Sequence, residues 1–276
     1  MPDPIDVRHL GREQVICCWR VDDVLVDPGP ASSLPNLLEA LGDWRPNRIL
    51  LTHIHFDHAG GAGVLARRWP DVEVWVHERG APHLADPSKL IASATRLYGD
   101  DMDRLWGEIA PIPAERLRVL RGGEQIDGWE VAYTPGHASH HVAYRHDRTG
   151  WAFTGDVAGC RIAPSDFIMA PTPPPDIDIE AWHASVDILQ SWQPVALGPT
   201  HFGAITDPAD HLERLHVVLD TWADLARRLD AEDFAAATRA ATAAALPLAE
   251  RDALAQAMPP DHLWPGLHRY WSKREA

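Results

Sequence analysis

Histidine and aspartate residues follow the ends of several predicted strands, and this placement constrains the fold more than any other feature of the sequence. Directly after the apolar run 48–52 come His53, His55, Asp57 and His58. Single residues of the same kind follow three later apolar runs: His137, Asp156 and His201. In each of these three cases glycine or proline turns the chain just before the polar residue. If the strand ends meet at one edge of a layered core, the seven side chains converge there.

The rest of the chain divides into strand-like and helix-like segments. Period-2 or β-branched patterns predict strands at 15–19, 24–26, 48–52, 72–77, 116–120, 129–134, 141–145, 151–154 and 195–197. Helical spacing predicts helices at 33–41, 59–69 and 179–192, a helical insertion at 79–115, and helices over most of the chain after residue 208. A proline-rich loop is expected at 161–178. Two blocks of strands, each followed by helices, favour an α/β (α+β) fold with two packed sheets and helices outside.

The residue types of the seven-member set indicate metal binding. Imidazole nitrogens and carboxylate oxygens together suit zinc, iron or manganese, and the lack of a thiolate argues against a closed structural zinc site. Seven such side chains can hold two cations. We expect His53, His55 and His137 on one cation, Asp57, His58 and His201 on the other, and Asp156 bridging the two. A lone histidine at a strand end is usually a cap or a surface residue, but burying the cluster 53–58 unpaired would cost several kcal/mol.

Charge and cysteine content narrow the class of protein. The net charge of −15 disfavours binding to nucleic acid, where affinity comes largely from Lys and Arg. Three cysteines are too few for a disulfide framework, and the first residues lack the basic and apolar regions of a signal peptide. The apolar runs are far shorter than a membrane span of about 20 residues. We therefore expect a cytoplasmic enzyme that acts on a small molecule, with no nucleic acid or membrane partner.

Four motifs carry a resemblance to a known family. The run from Thr52 to Gly61 resembles the HxHxDH motif of the metallo-β-lactamase superfamily. The residues around His137, Asp156 and His201 resemble its second histidine, bridging aspartate and last histidine motifs, in the same order. The resemblance covers roughly residues 12–205 and implies a four-layer αβ/βα sandwich with the metals at one edge. It implies a catalytic domain at 1–207, including the 79–115 insertion, and the helical pattern of the remaining residues predicts a C-terminal helical extension at 208–276.

The resemblance also ranks the reactions that this site could catalyse. True β-lactamases of this family lack a bridging aspartate, which Asp156 supplies here, so antibiotic hydrolysis is not expected. The glyoxalase II-like thioesterases, lactonases and RNase Z-like phosphodiesterases share that aspartate. The resemblance therefore implies a dinuclear hydrolase, with Zn²⁺ as the first expectation and iron or manganese as alternatives. A hydroxide bridging the metals would attack an ester, thioester or lactone carbonyl, with Asp57 orienting it or shuttling a proton. The alternatives are an iron-dependent persulfide dioxygenase with one metal, a phosphodiesterase, and a non-catalytic metal-binding module.

The sequence also indicates roles for several further residues and segments, and for most of them it leaves two interpretations open. His141 either supports a metal ligand or only starts a strand. Arg161 meets a substrate carboxylate or forms a surface salt bridge. Phe167 and Met169, in the proline-rich loop, are candidates for the pocket wall. The 79–115 insertion is a candidate lid or a cover for the core, and the helices after 208 pack on the domain or form a homodimer interface.

Overall fold

The protein, described by a computed structural model over residues 1–275, contains two β-sheets. The first has the strand order β1 (Asp3–Asp6), β2 (Cys17–Val21), β3 (Val24–Val26), β4 (Arg48–Leu50), β5 (Glu73–His77) and β6 (Leu117–Leu120). The second has the order β11 (Ala196–Pro199), β10 (Trp151–Gly155), β9 (Val142–His146), β8 (Trp129–Tyr133) and β7 (Gln125–Ile126). Strands β3 to β6 run parallel, as do β10 and β11, and the other neighbours are antiparallel.

Alternation along the strands separates two apolar layers. Aromatic side chains from both sheets, among them Trp19, Trp75 and Phe153, belong to one buried cluster between the sheets. Their strand neighbours, such as Cys18 and Val74, belong to a second cluster that includes the helices. Both sheets are therefore covered on both faces, and the predicted sandwich with outer helices is confirmed.

The helices lie outside the sheets and in the C-terminal part. They are α1 (Leu34–Leu41), α2 (Phe56–Ala59), α3 (Ala62–Arg68), α4 (Ala81–Ala85), α5 (Ser88–Tyr98), α6 (Met102–Trp106), α7 (Ile179–Ser191), α8 (Pro208–Arg228), α9 (Ala231–Ala245), α10 (Leu248–Ala257) and α11 (Trp264–Arg274). The predicted helix at 59–69 is wrong in its start, because the chain forms two short helices separated by Gly60-Gly61. The first of them carries Asp57 and His58, so these two residues lie on a helical turn.

Two strands of the structure were not predicted. Strand β1 contains Pro4 and two acidic residues, a composition that argues against a strand. It forms because it lies at the sheet edge, where Ile5 pairs with Cys18 and proline is tolerated. Strand β7 has only two residues, Gln125 and Ile126, which is too short for any periodicity to appear.

The 79–115 insertion contains the short helices α4, α5 and α6 and no strand among the described residues. Its last helix is anchored to the N-terminal part of the chain. Ser32 donates a hydrogen bond to the Leu105 carbonyl at 2.6 Å, and Trp106 stacks on His9 with ring centroids 5.8 Å apart. The insertion therefore packs against the domain along the segments that precede α1.

The C-terminal helices pack on the sandwich. Leu212, Leu215 and Leu219 of α8 are buried in the same cluster as residues of α7. The Trp271 indole of α11 donates to the Ala223 carbonyl of α8 at 2.8 Å, and Tyr270 donates to Glu180 of α7 at 2.8 Å. Within residues 1–275, no helix combines the length and apolarity that crossing a bilayer requires.

Candidate metal centre

The strand ends bring the seven predicted residues together. His53 and His55 follow β4, His137 follows β8, Asp156 follows β10 and His201 follows β11. In the second sheet β8, β10 and β11 run in the same direction, so their carboxyl ends lie at one edge. Two clusters of metal-ligand atoms form there, one from His53, His55, His137 and Asp156 and one from Asp57, His58 and His201.

The first cluster is made mostly of imidazole nitrogens. His55 Nδ1 lies 3.0 Å from His53 Nε2 and 3.0 Å from His137 Nε2. Asp156 Oδ2 lies 3.3 Å from His137 Nε2. These distances are close to those between ligands that share one cation.

The second cluster faces the first across Asp156. Asp57 Oδ2 lies 3.3 Å from His201 Nε2 and 3.8 Å from His58 Nε2. The other oxygen of Asp156, Oδ1, lies 3.2 Å from His58 Nε2 and 3.6 Å from His201 Nε2. One oxygen of Asp156 therefore faces each cluster, which is the arrangement of a bridging carboxylate.

Hydrogen bonds at the Nδ1 atoms fix how two of these rings are oriented. His137 Nδ1 donates to the Pro171 carbonyl at 2.8 Å, and His201 Nδ1 donates to the Val15 carbonyl at 2.6 Å. A carbonyl oxygen only accepts hydrogen bonds, so both Nδ1 atoms carry the proton. In the neutral rings Nε2 then presents a lone pair to the cluster.

Asp27 fixes two more rings and was not identified from the sequence. It is fully buried, and its Oδ2 accepts hydrogen bonds from His58 Nδ1 at 2.9 Å and from Thr52 Oγ1 at 2.6 Å. Because the Thr52 hydroxyl donates to Asp27, it accepts from His53 Nδ1 at 3.1 Å. Thr200, next to His201, also donates to Asp27 Oδ2 at 2.8 Å. Asp27 therefore sets the tautomers of one histidine in each cluster.

The site fits metal cations. His53 Nε2 and His137 Nε2 present lone pairs, because these two rings carry their protons on Nδ1. Both atoms lie 3.0 Å from His55 Nδ1, which can donate a hydrogen bond to at most one of them. Buried His58 Nε2 and Asp156 Oδ1 have no hydrogen-bond partner within the described chain. Converging lone pairs repel one another, and unpaired buried polar atoms are costly, unless a cation lies between them. The donor set of nitrogens and carboxylate oxygens is one that zinc, iron and manganese accept.

The pKa shifts reflect the same crowding of buried histidines and carboxylates. Burial, together with the neighbouring His137, lowers the pKa of His55 to about 4. Burial also lowers the pKa of His137. For His58, burial opposes protonation, but Asp156 and Asp57 raise its pKa well above the ordinary value.

Two glycines allow the close approach of ligand-bearing turns. Gly155 has φ +48°, and a Cβ there would lie 2.3 Å from Thr52 Oγ1. Gly136 has φ +133°, and a Cβ there would lie 2.4 Å from the Trp182 backbone. Both positions accept only glycine without a shift of their neighbours, so these turns place Asp156 and His137 against the rest of the site.

His141 and His140 lie beside the first cluster. The ring of His141 is fully buried and stacks on His53 with centroids 5.0 Å apart. Its Nδ1 lies 2.8 Å from Thr134 Oγ1. His140 Nδ1 accepts a hydrogen bond from the Ile54 backbone amide at 3.5 Å, and burial lowers its pKa to about 3. Both rings pack around the ligand histidines.

The three predicted substrate contacts lie in the loop after Asp156. Arg161 pairs with Asp207 at 2.8 Å and with Asp166 at 2.6 Å, and only 14% of its side chain is exposed. Met169 is buried in the apolar cluster under the helices, and Phe167 packs partly buried against it. The guanidinium of Arg161 is therefore engaged by two carboxylates of the chain itself.

The chain is similar to known proteins in both sequence and fold. The family model described as the metallo-beta-lactamase superfamily matches residues 22–233. A metallo-beta-lactamase fold-containing protein of Sulfurisphaera tokodaii is 27% identical over 223 residues, which cover 77% of this chain and 81% of that protein. The hydroxyacylglutathione hydrolase of Aeromonas hydrophila is 34% identical over 145 residues, which cover 50% of this chain and 44% of that enzyme. The match thus spans less than half of the length of that hydrolase.

Solved structures give the same picture. An archaeal metallo-beta-lactamase superfamily protein from Sulfolobus tokodaii superposes with a TM-score of 0.66 at 25% identity, covering 78% of this chain and 84% of that one. The protein TTHA1623, crystallised in a di-iron-bound form, has a TM-score of 0.54 at 28% identity, covering 71% of this chain and 91% of that one.

Proposed function

This chain belongs to the metallo-β-lactamase superfamily, and on that premise we propose that it is a dinuclear metal-dependent hydrolase of small-molecule esters, thioesters or lactones. The observation that carries the proposal is the position of Asp156, with one carboxylate oxygen toward each ligand cluster. A single-metal site would leave the second cluster with unpaired buried atoms.

The chain's residues would divide between two cations. His53, His55 and His137 would hold one, Asp57, His58 and His201 the other, and Asp156 both. When bound, two such cations lower the pKa of a shared water and polarise the carbonyl that the water attacks. Zinc is the first expectation for this donor set, with iron or manganese as alternatives. The di-iron form of a similar protein supports keeping iron among them.

Asp57 is placed for a second role. Its side chain is 22% exposed, whereas Asp156 is 5% exposed and the histidines on either side of Asp57 in the second cluster are almost fully buried. Asp57 therefore faces the open side of the site, where it can orient the attacking water and pass its proton onward. His58 and His201 lower its pKa despite its burial, so the carboxylate is ionised and can bind a cation or orient a water.

Two observations support this class of substrate, the similarity to known hydrolases and the net charge of the chain. Similarity to hydroxyacylglutathione hydrolases favours a thioester, although the chain matches less than half of those enzymes. The net charge of −15 supports a small-molecule substrate over nucleic acid. Arg161 is engaged by Asp166 and Asp207 and is not free to bind a substrate carboxylate. The 79–115 insertion is the candidate wall of the substrate pocket, because its Trp106 lies beside Phe56 with ring centroids 6.1 Å apart.

The test combines metal content with a substrate panel. Protein purified without chelator or nickel resin is analysed by plasma mass spectrometry and assayed with thioesters, lactones and phosphodiesters. We expect about two metal equivalents and thioester or lactone hydrolysis that a chelator abolishes and added metal restores. One equivalent of iron, with persulfide-dependent oxygen uptake and no hydrolysis, would overturn the proposal in favour of a dioxygenase.

A further inference from the structure

Two histidines outside the metal centre face each other across the contact between α7 and α8. The His183 ring of α7 and the His216 ring of α8 are nearly parallel, with centroids 4.9 Å apart and an angle of 8° between the planes. Their Nδ1 atoms are 2.6 Å apart. None of the seven centre residues lies on either helix, so this pair is a separate cluster.

A carboxylate lies at the far nitrogen of each ring. Asp220, one turn after His216 on α8, accepts from His183 Nε2 at 2.9 Å. Asp187, one turn after His183 on α7, lies 3.4 Å from His216 Nε2. The pairs cross between the helices, so the four side chains form a two-fold arrangement of two imidazoles and two carboxylates.

This arrangement determines which nitrogens carry protons. An ionised carboxylate only accepts hydrogen bonds, so it holds the proton of each neutral ring on Nε2. The two Nδ1 atoms then present lone pairs to each other at 2.6 Å, where they repel unless a positive charge lies between them. Histidine oriented by a carboxylate on its far nitrogen is also the common supporting arrangement for metal ligands in proteins.

We propose that His183 and His216 form a second binding site, for a late first-row divalent cation such as Zn²⁺, Cu²⁺ or Ni²⁺, held between their Nδ1 atoms. Imidazole ligands select these ions over Mg²⁺ and Ca²⁺, which require oxygen ligands. Tetrahedral zinc with Zn–N bonds of 2.0–2.1 Å needs nitrogens roughly 3.3 Å apart, so the two rings must separate by about 0.7 Å and tilt to admit the ion. Water completes the coordination, since both histidine side chains are 26% exposed.

The charge of the cluster fits a divalent ion. With neutral rings the two carboxylates carry a charge of −2, and both are 70% exposed on a chain with net charge −15. A divalent cation makes the cluster neutral, whereas a single shared proton leaves it negative. The cation would also link α8 to the helix that supports His137, because Trp182 of α7 packs on the His137 ring with centroids 5.7 Å apart.

The experiment titrates Zn²⁺ into protein whose main centre is already loaded. Zinc-treated protein is gel-filtered, its metal content is measured, and further Zn²⁺ is added in a calorimeter. We expect one additional equivalent per chain in the unchanged protein and in His268→Gln, a control that alters one exposed histidine of α11. We expect the loss of that equivalent in His183→Gln and in His216→Gln, with the metal content of the main centre unchanged. Asp220→Asn should weaken the additional binding about tenfold, because it removes the carboxylate that orients His183.

Two results would overturn the proposal. If the unchanged protein takes up no further Zn²⁺, the pair is held by a shared proton. If His183→Gln binds the additional equivalent as tightly as the unchanged protein, the ion lies elsewhere on the surface. Thermal unfolding of the unchanged protein gives a readout that needs no variant, because an ion bound only by the folded chain must raise the midpoint as its concentration rises.

Discussion

The Asp27 carboxylate accepts a hydrogen bond from His58 Nδ1 at 2.9 Å, and both side chains are completely buried. The same carboxylate also accepts from the Thr52 backbone amide at 2.8 Å and from two threonine hydroxyls. Asp27 therefore connects β3, the turn after β4 and the turn after β11 beneath the metal centre. Asp27 is buried away from the open side of the site and forms no hydrogen bond with Asp57 or His201. Its role is therefore to orient the rings of His53 and His58.

Replacing Asp27 by Asn should weaken metal binding without removing a ligand. The amide group has the same shape, but its NH₂ faces donors that need an acceptor, and His58 loses its charged partner. We expect a loss of about 10- to 100-fold in metal affinity, measured by competition with a chromophoric chelator. The exposed Asp43→Asn variant serves as the control. Unchanged affinity in Asp27→Asn would show that His58 keeps its orientation without the carboxylate.

Replacing Asp57 by Ala should abolish most of the turnover while the fold persists. The variant removes a proton acceptor and one ligand, and general acid–base groups contribute about 100-fold or more to rate. Activity on the best thioester or lactone is measured together with metal content and circular dichroism, with exposed Asp71→Ala as the control. Near-normal turnover with metal still bound would remove Asp57 from the mechanism.

Replacing Gly155 by Ala should destabilise the protein more than the same replacement at Gly128, another glycine whose backbone is left-handed. Gly128 has φ +82° and open space around its Cβ position, whereas a Cβ at Gly155 would meet Thr52 Oγ1 at 2.3 Å. We expect Gly128→Ala to cost about 1 kcal/mol and Gly155→Ala to cost roughly 1–3 kcal/mol more, from overpacking. Urea unfolding of both variants measures the difference. Equal losses would mean that Thr52 shifts at no cost.

His211 should make the protein less stable in acid. Its Nε2 donates to the Ala158 carbonyl at 2.8 Å, and burial lowers its pKa from 6.5 to about 4. Below pH 6.5 the unfolded chain therefore binds a proton at His211, whereas the folded chain does not bind it until the pH approaches 4. Above pH 6.5 His211 therefore takes nothing from the free energy of unfolding. As the pH falls from 6.5 toward 4, that free energy decreases by about 1.4 kcal/mol per pH unit, or roughly 3 kcal/mol in total.

The measurement compares urea unfolding of the unchanged protein and His211→Gln between pH 7 and pH 4. Chelator-treated protein is used, so that metal release does not contribute to the slope. The variant keeps an amide donor for Ala158 and should lose stability less steeply with acid. The exposed His268→Gln variant should retain the full slope. Identical slopes in all three proteins would show that His211 does not set the acid sensitivity.

Much of the site could be predicted because its residues follow recognisable strands. The apolar runs before His53, His137 and Asp156 end in glycine, proline or threonine, and the structure places these strand ends at one edge. The fold class could be predicted for the same reason, since two blocks of strands with helices between them allow few layered arrangements. The family resemblance then restricted the arrangement further.

The residues that escaped prediction depend on partners distant in the chain. Asp27 lies in an Asp-Pro-Gly-Pro sequence that is typical of a turn, and its partners Thr52, His58 and Thr200 cannot be identified from local pattern. Arg161 had two interpretations, a contact with a substrate carboxylate or a salt bridge, and local pattern could not identify Asp207, 46 residues away, as its partner. His183 and His216 meet only because α7 and α8 pack together. A signal for Asp27 was present, since it too is an acidic residue at a strand end.

The order of the centre's residues along the chain has a consequence for biosynthesis. During translation from the N-terminus, Asp27 and the 53–58 segment emerge long before Asp156, and His201 emerges last of the set. Neither cluster is complete until the second sheet has closed on the first, because His137, Asp156 and His201 all follow strands of the second sheet. A nascent chain would therefore offer cations only partial chelation, and tight binding would follow the docking of the two sheets instead of nucleating it. The metal content of this protein in the cell would thus measure the fraction of its molecules that have finished folding.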